Sequence, residues 1–187
     1  MSPALIRIPT LTALICLLSF SLIAPNASQA ASAKKIDRMV NTTLKVFYDE
    51  VDGAENLIKK SKGALVFPKV YKAGLGIGGE YGEGALRIGG KTAAYYSTAA
   101  ASIGFQLGAQ KKSIIIIFLT QEALDKFRDS DGWEVGVDGS VAVIDMGAGG
   151  SVDTTNYKDP IIAFVFDQAG LMYNLTLEGS KITELDR

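Results

Sequence analysis

Between positions 35 and 51 apolar residues recur at three- and four-residue steps: Ile36, Met39 and Val40, Leu44, Phe47 and Val51. That spacing lines one side of a helix, and Lys34, Lys35, Arg38, Lys45 and Asp49 fall mostly off it. The stripe is either the core-facing side of an ordinary helix or the buried side of a basic amphipathic helix lying on a membrane. Asp52 with Glu55 three residues on has the spacing of a capping box. A short helix through Leu57 and Ile58 is expected to follow, ending at Ser61-Lys62-Gly63. Lys59, Lys60 and Lys62 sit in its last turn, where cations suit the negative end of the helix dipole. Lys69 and Lys72 then follow, more lysines than a helix end requires.

The period next changes to two. Residues 64–67 form a short apolar strand that Pro68 is expected to stop. A ladder of glycines follows, reading Gly74, Gly76, Gly78, Glu80, Gly82, Gly84 on even positions and Leu75, Ile77, Gly79, Tyr81, Glu83, Ala85 on odd ones. Successive strand residues face opposite sides, so one face of this strand is almost bare. Glycine inside a strand costs backbone entropy and marks a bend or a close approach. Another element is therefore expected to pack on that backbone. Gly89-Gly90 reads as a turn, residues 91–96 and 98–110 as strands, and the continuous apolar run at 113–119 (SIIIIFL) as a buried strand.

Residues 120–128 predict one short helix capped by Thr120, with Leu124 and Phe127 on its inner face. Asp138-Gly139, between segments 133–137 and 140–144, is a hairpin signal. Gly147 to Gly150 is a further flexible run, and residues 161–166 and 171–177 predict a hairpin about a turn at 167–170. Strands joined by turns, with helices gathered at the N-terminus, give an α+β fold. The expected form is a curved antiparallel sheet, sandwich or partial barrel, with the N-terminal helices on one side or end.

Composition changes this picture at three points. Arg7 followed by the apolar residues 11–24 (LTALICLLSFSLIA), with small residues at Ser28 and Ala30 or at Ala31 and Ala33, has the form of a cleaved signal peptide. The segment is shorter than the roughly 20 apolar residues of a spanning helix. Residues 1–33 are thus read as a leader, and residues 34–187 as one domain, helical to 62 and mainly β beyond, on an exported, periplasmic or extracellular protein. The only cysteine, Cys16, lies in the leader, so no disulfide is available. The chain has no histidine, the commonest general base and metal ligand. Finally, residues 34–72 carry nine Lys/Arg against five Asp/Glu, while residues 73–187 carry nine against fifteen. A basic segment on an acidic body suits an anionic partner at one end.

Catalytic patterns fail on context. Gly74, Gly76 and Gly79 satisfy G-x-G-x-x-G, but that fingerprint must open a helix, and here strand alternation continues. Glu80 and Glu83, three apart on a strand, face opposite ways and make a poor carboxylate pair. Asp138, Asp145 and Asp153 lack the spacing of a calcium loop. No enzymatic activity, cofactor, metal or nucleic-acid partner is expected.

Residues 62–68 (KGALVFP), Lys72-Ala73-Gly74 and residues 76–84 (GIGGEYGEG), followed by Tyr96, residues 101–104 (ASIG), Gln106, residues 108–110 (GAQ) and residues 177–180 (LEGS), together resemble the SYLF domain. The similarity runs through nearly all of residues 34–187. The family occurs in eukaryotic phosphoinositide-binding proteins, some linked to actin, and in secreted bacterial proteins. The resemblance implies phospholipid binding, here through Lys34, Lys35, Arg38 and Lys45 on the first helix and Lys59, Lys60, Lys62, Lys69 and Lys72 beyond it. An export signal argues against an actin partner and favours bacterial anionic lipids over phosphoinositides. The function expected is an exported module docking peripherally on anionic phospholipid membranes. The alternative is a non-enzymatic envelope structural or carrier protein that binds an apolar ligand or self-assembles.

Overall fold

A computed structural model describes residues 33–145, 159–170, 177 and 179–187, all within one compact unit, Ala31–Arg187. The expected leader lies outside the described residues, except for Ala33, which opens the first helix. In chain order the elements are α1 (Ala33–Glu50), α2 (Ala54–Lys60), β1 (Gly63–Ile88), β2 (Lys91–Phe118), α3 (Gln121–Arg128), β3 (Trp133–Glu134), β4 (Ala142–Asp145), β5 (Ile161–Gly170) and β6 (Lys181–Leu185).

One long antiparallel ribbon carries the rest. β1 and β2 pair from Gly63↔Phe118 down to Ile88↔Lys91. Gly89 and Gly90, at φ +57° and +79°, close it. Two positive φ values in a two-residue loop give the hairpin turn whose twist matches its strands. The far edge of β2 is shared: β6 pairs with Tyr95–Ala99 and β5 with Gln110–Phe118. β3 lies outside β6, and β4 lies parallel to β5 at the opposite edge. The result is the expected α+β architecture, a curled and mostly antiparallel partial barrel.

A straight strand of 26 residues would extend about 86 Å at roughly 3.3 Å per residue. β1 instead coils back on itself. Gly84 packs on the Val66 carbonyl oxygen and the Phe67 ring, where a Cβ would collide with both; a Cβ on Gly82 would lie 2.8 Å from Val70 Cγ2 and 2.9 Å from the Lys69 carbonyl. The bare glycine face thus meets the first part of its own strand. Register shifts at Phe67/Val70, Leu75/Ile77 and Leu86/Arg87 supply local bends.

Two cores follow from this curl. On its inner face Leu65, Phe67, Leu86, Ile114, Ile116 and Phe118 pack with Leu124 and Phe127 of α3 and with Trp133. On its outer face Val66, Ala85, Ile115, Ile117, Ile162 and Phe164 meet Ile36, Val40 and Phe47 of α1 and Leu57 of α2. Residues 114–118 are therefore buried on both sides, which is why the run is apolar without alternation. Phe47 fixes α1 through the rings of Phe164 and Phe166, with centroids 4.9 and 5.7 Å away.

Several local expectations are corrected. Pro68 does not end its strand. It sits on the ribbon edge at a register shift, where no ladder N–H is required, and its carbonyl accepts from Ser113 Oγ at 2.9 Å. Residues 91–96, 98–110 and 113–118 are one strand. β5 runs through 167–170, where a turn was expected; most of its expected partner, and the run at 147–150, lies outside the described residues. The segments flanking Asp138-Gly139 do not pair. Trp133 is drawn into the inner core beside Phe127, 5.7 Å away, and β4 goes to the other edge of the sheet. Gly53, at φ +79° and without a side-chain cap, replaces Asp52 at the start of α2. Thr120 caps α3 as expected, accepting from Ala123 N.

The closure yields a paired prediction. Gly84→Ala forces the strand off the Val66 carbonyl and is expected to cost at least about 2 kcal/mol. Gly79→Ala meets nothing nearer than 3.9 Å and is expected to change stability by less than about 0.5 kcal/mol. Urea unfolding measures both; equal effects would contradict the closure.

Candidate functional site

The apolar stripe of α1 is spent on the core: Ile36, Val40 and Phe47 are fully buried. At 3.6 residues per turn this turns Lys34, Arg38 and Lys45 directly away from the sheet. Lys35 lies on one flank, and all four are exposed. The first of the two readings of this helix therefore describes the folded protein.

Polar contacts clamp the N-terminal half of α1, a feature that sequence inspection missed. Asp37 Oδ1 accepts from Thr92 Oγ1 at 2.7 Å and faces the Arg87 guanidinium at 3.4 Å, while Asp37 Oδ2 accepts from the Tyr95 hydroxyl at 2.9 Å. Arg87 also donates to Asn41 Oδ1 at 2.8 Å. These partners are 46 to 58 residues apart in sequence. Nothing local marks them; only the return of the ribbon beneath α1 joins them. Burial and then the bond to Asp37 push the Tyr95 pKa up, which keeps its hydroxyl a donor.

Besides Lys34, Lys35 and Lys45, the nine basic residues include six that fall into three groups. The exposed Lys69, on the bulge beside Pro68, joins Arg38 in lining a groove of about 290 Å³ along one flank of α1, with Met39, Val46 and Phe166 as its apolar walls. Lys59, Lys60 and Lys62 are exposed around the end of α2, and Lys59 lines a separate groove with Asn41, Tyr48 and Arg87 on the other flank. Lys59 is also paired with Glu55 at 2.8 Å, which diverts part of its charge. Lys72 is the exception. It points into the curl and is only 5% exposed, so it belongs to no surface patch. The strand alternation that buries it was legible, but which face would be enclosed was not.

Glu80 and Glu83 occupy different environments: Glu80 is buried against Lys112, while Glu83 accepts from the Tyr81 hydroxyl and Arg187. Among the described residues no group of His, Cys, Asp and Glu is placed to hold a metal, and no helix is long and apolar enough to cross a membrane.

The architecture is thus that of a curled-sheet domain with a clamped basic helix on its outer face. Residues 99–187, from the middle of β2 to the end of the chain, match the family described as "Ysc84: Las17-binding protein actin regulator". Over these residues the chain is similar to the SYLF, or Ysc84-like, family of lipid- and actin-binding domains, in agreement with the resemblance read from the sequence. No curated protein matches the chain. The matched stretch takes in most of β2, β5 and β6 but neither α1 nor β1, so all nine basic residues lie outside it.

Asp37→Ala removes the acceptor shared by Thr92, Tyr95 and Arg87. It is expected to lower stability by about 1–3 kcal/mol and to speed amide exchange in the first half of α1 more than in β5. Unchanged exchange in α1 would mean that the apolar stripe alone holds the helix.

Proposed function

We propose that this chain is an exported, non-enzymatic module that docks peripherally on anionic phospholipid membranes through the outer face of α1 and the adjoining Lys69. The match of residues 99–187 to a family of lipid- and actin-binding domains supports the general class. One observation carries the specific reading: Lys34, Lys35, Arg38 and Lys45 of α1 and Lys69 of β1 are exposed, while Ile36, Val40 and Phe47 of the α1 stripe are buried. The cations are displayed without any rearrangement, so docking is electrostatic and the helix remains on the sheet. Lys60 and Lys62 add charge at the end of α2. The apolar leader in the sequence supports export, and an exported chain is no candidate for an actin partner inside a cell.

A basic residue close to an anionic leaflet contributes on the order of 1 kcal/mol, screened by salt. Reversing Arg38, Lys45 and Lys69 to Glu is expected to weaken co-sedimentation with anionic vesicles by at least about tenfold. Reversing Lys126 and Lys181, exposed cations elsewhere on the domain, is expected to change it less than about twofold. Binding should vanish on neutral vesicles and fade as salt rises from about 0.05 to about 0.5 M. Equal losses in the two variants would overturn the assignment to α1.

A second reading, a structural or carrier protein of the envelope, draws on a different feature. Tyr71, Ile77 and Tyr81, on the outer face of the ribbon, are 56, 76 and 49% exposed. An apolar strip of this kind suits contact with a second copy or an apolar ligand. Light scattering distinguishes the two. A discrete oligomer that Ile77→Asp converts to a monomer favours assembly, whereas a monomer at all concentrations removes it.

A further inference from the structure

We propose that the inner face of the ribbon is a binding site for a hydroxyl-bearing phosphate ester, built from Lys72, Gln110, Lys112 and Glu80. It is separate from the surface proposed to dock on membranes. Lys72 is directly opposite Gln110 in the ladder, and Val70 is opposite Lys112, so both lysines and the glutamine share one small area of the inner face. Opposed strand residues hold their Cβ atoms about 5 Å apart and diagonal ones about 7 Å apart. Glu80 reaches the same area from further along β1, its Oε2 lying 2.9 Å from Lys112 Nζ. All four residues are at least nine-tenths buried.

Their hydrogen-bonding capacity is largely unspent. Lys72 makes no ion pair or hydrogen bond with any described residue. Lys112 Nζ is ion-paired with Glu80 Oε2 at 2.9 Å without hydrogen-bond alignment, and Glu80 Oε1 accepts no hydrogen bond. Gln110 Oε1 is unpartnered too. Its orientation is fixed from outside. Gln168 Nε2 donates to the Asp145 carboxylate at 2.7 Å, which turns Gln168 Oε1 toward Gln110 Nε2 at 3.3 Å and leaves Gln110 Oε1 facing inward.

Among the described residues two ammonium groups face one carboxylate in this cluster, an excess of one positive charge. An uncompensated buried cation is costly unless an anion meets it. Beside the cations stand two unspent acceptors, Gln110 Oε1 and Glu80 Oε1, which call for hydroxyl donors on the same ligand. A phosphate supplies the anion and a neighbouring hydroxyl supplies the donor.

Such chemistry comes from two sources: the glycerol phosphate headgroup of a lipid, or a free polyol phosphate. The test follows thermal unfolding of the full chain with glycerol 3-phosphate, inorganic sulfate and short-chain phosphatidylglycerol below its micelle concentration. Saturable stabilisation by glycerol phosphate well beyond that by sulfate, weakened at least tenfold in Lys72→Met, supports the site with a free ligand. Stabilisation by the short-chain lipid alone, weakened in the same variant, supports it with a lipid ligand. The unliganded variant is expected to melt no lower than the parent, because it loses an unpaired buried charge. Should it fail to fold, amide shifts of residues 72, 110 and 112 in the native chain upon titration give the same answer. No saturable response, or one that Lys72→Met leaves intact, overturns the proposal. The Arg38, Lys45 and Lys69 reversals should leave the response unchanged, which separates this site from the docking surface.

Discussion

The fold depends on one contact, the seating of Gly82 and Gly84 against residues 66–70 of the same strand. A β-ribbon of this length does not fit a domain of this size as a flat sheet, and the intrinsic strand twist alone does not bring one end onto the other. The glycines remove the side chains that would hold the two parts of β1 apart. Closure then creates an inside, where α3 and Trp133 pack, and an outside, where α1 and α2 pack. The doubly buried run at residues 114–118 is the seam between the two cores.

The same closure sets the charge pattern. Because α1 gives its apolar stripe to the outer core and is tied by Asp37 to Arg87, Thr92 and Tyr95, its cations face solvent in a fixed array. Because β1 curls, Lys72 is carried inward while Lys69, across the bulge, stays outside. Lysines three residues apart therefore have different prospects. One meets the surface of an anionic body. The other sits where only a group small enough to enter the curl would reach it.

Much of this was legible in the sequence where the signal is local. The α1 stripe, the Thr120 cap, the Gly89-Gly90 turn and the bare glycine face each follow from residue type and spacing. What was not legible depends on partners distant in the chain. Asp138-Gly139 forms a turn, but the inner core claims Trp133 and sends the flanking segments to opposite edges of the sheet. Pro68 looks like a strand end until the edge and bulge that tolerate it are in view. The basic residues read as one cluster in sequence, yet folding divides them among the outer face and flanks of α1, the end of α2 and the interior. Asp37 and Arg87 carried no signal at all, since neither belongs to a motif.

The central claim, that the protein meets an anionic membrane with α1 still packed on the sheet, is tested most directly by NMR of the chain bound to anionic nanodiscs containing a spin-labelled lipid. The account predicts broadening of the Lys34, Arg38 and Lys45 amides. It also predicts that the contact between the Phe47 and Phe164 rings, 4.9 Å apart, persists and that the Ile36 and Val40 methyl signals survive. Loss of the ring contact together with broadening of those methyls would show that the helix leaves the core to insert its apolar side, and would contradict the account.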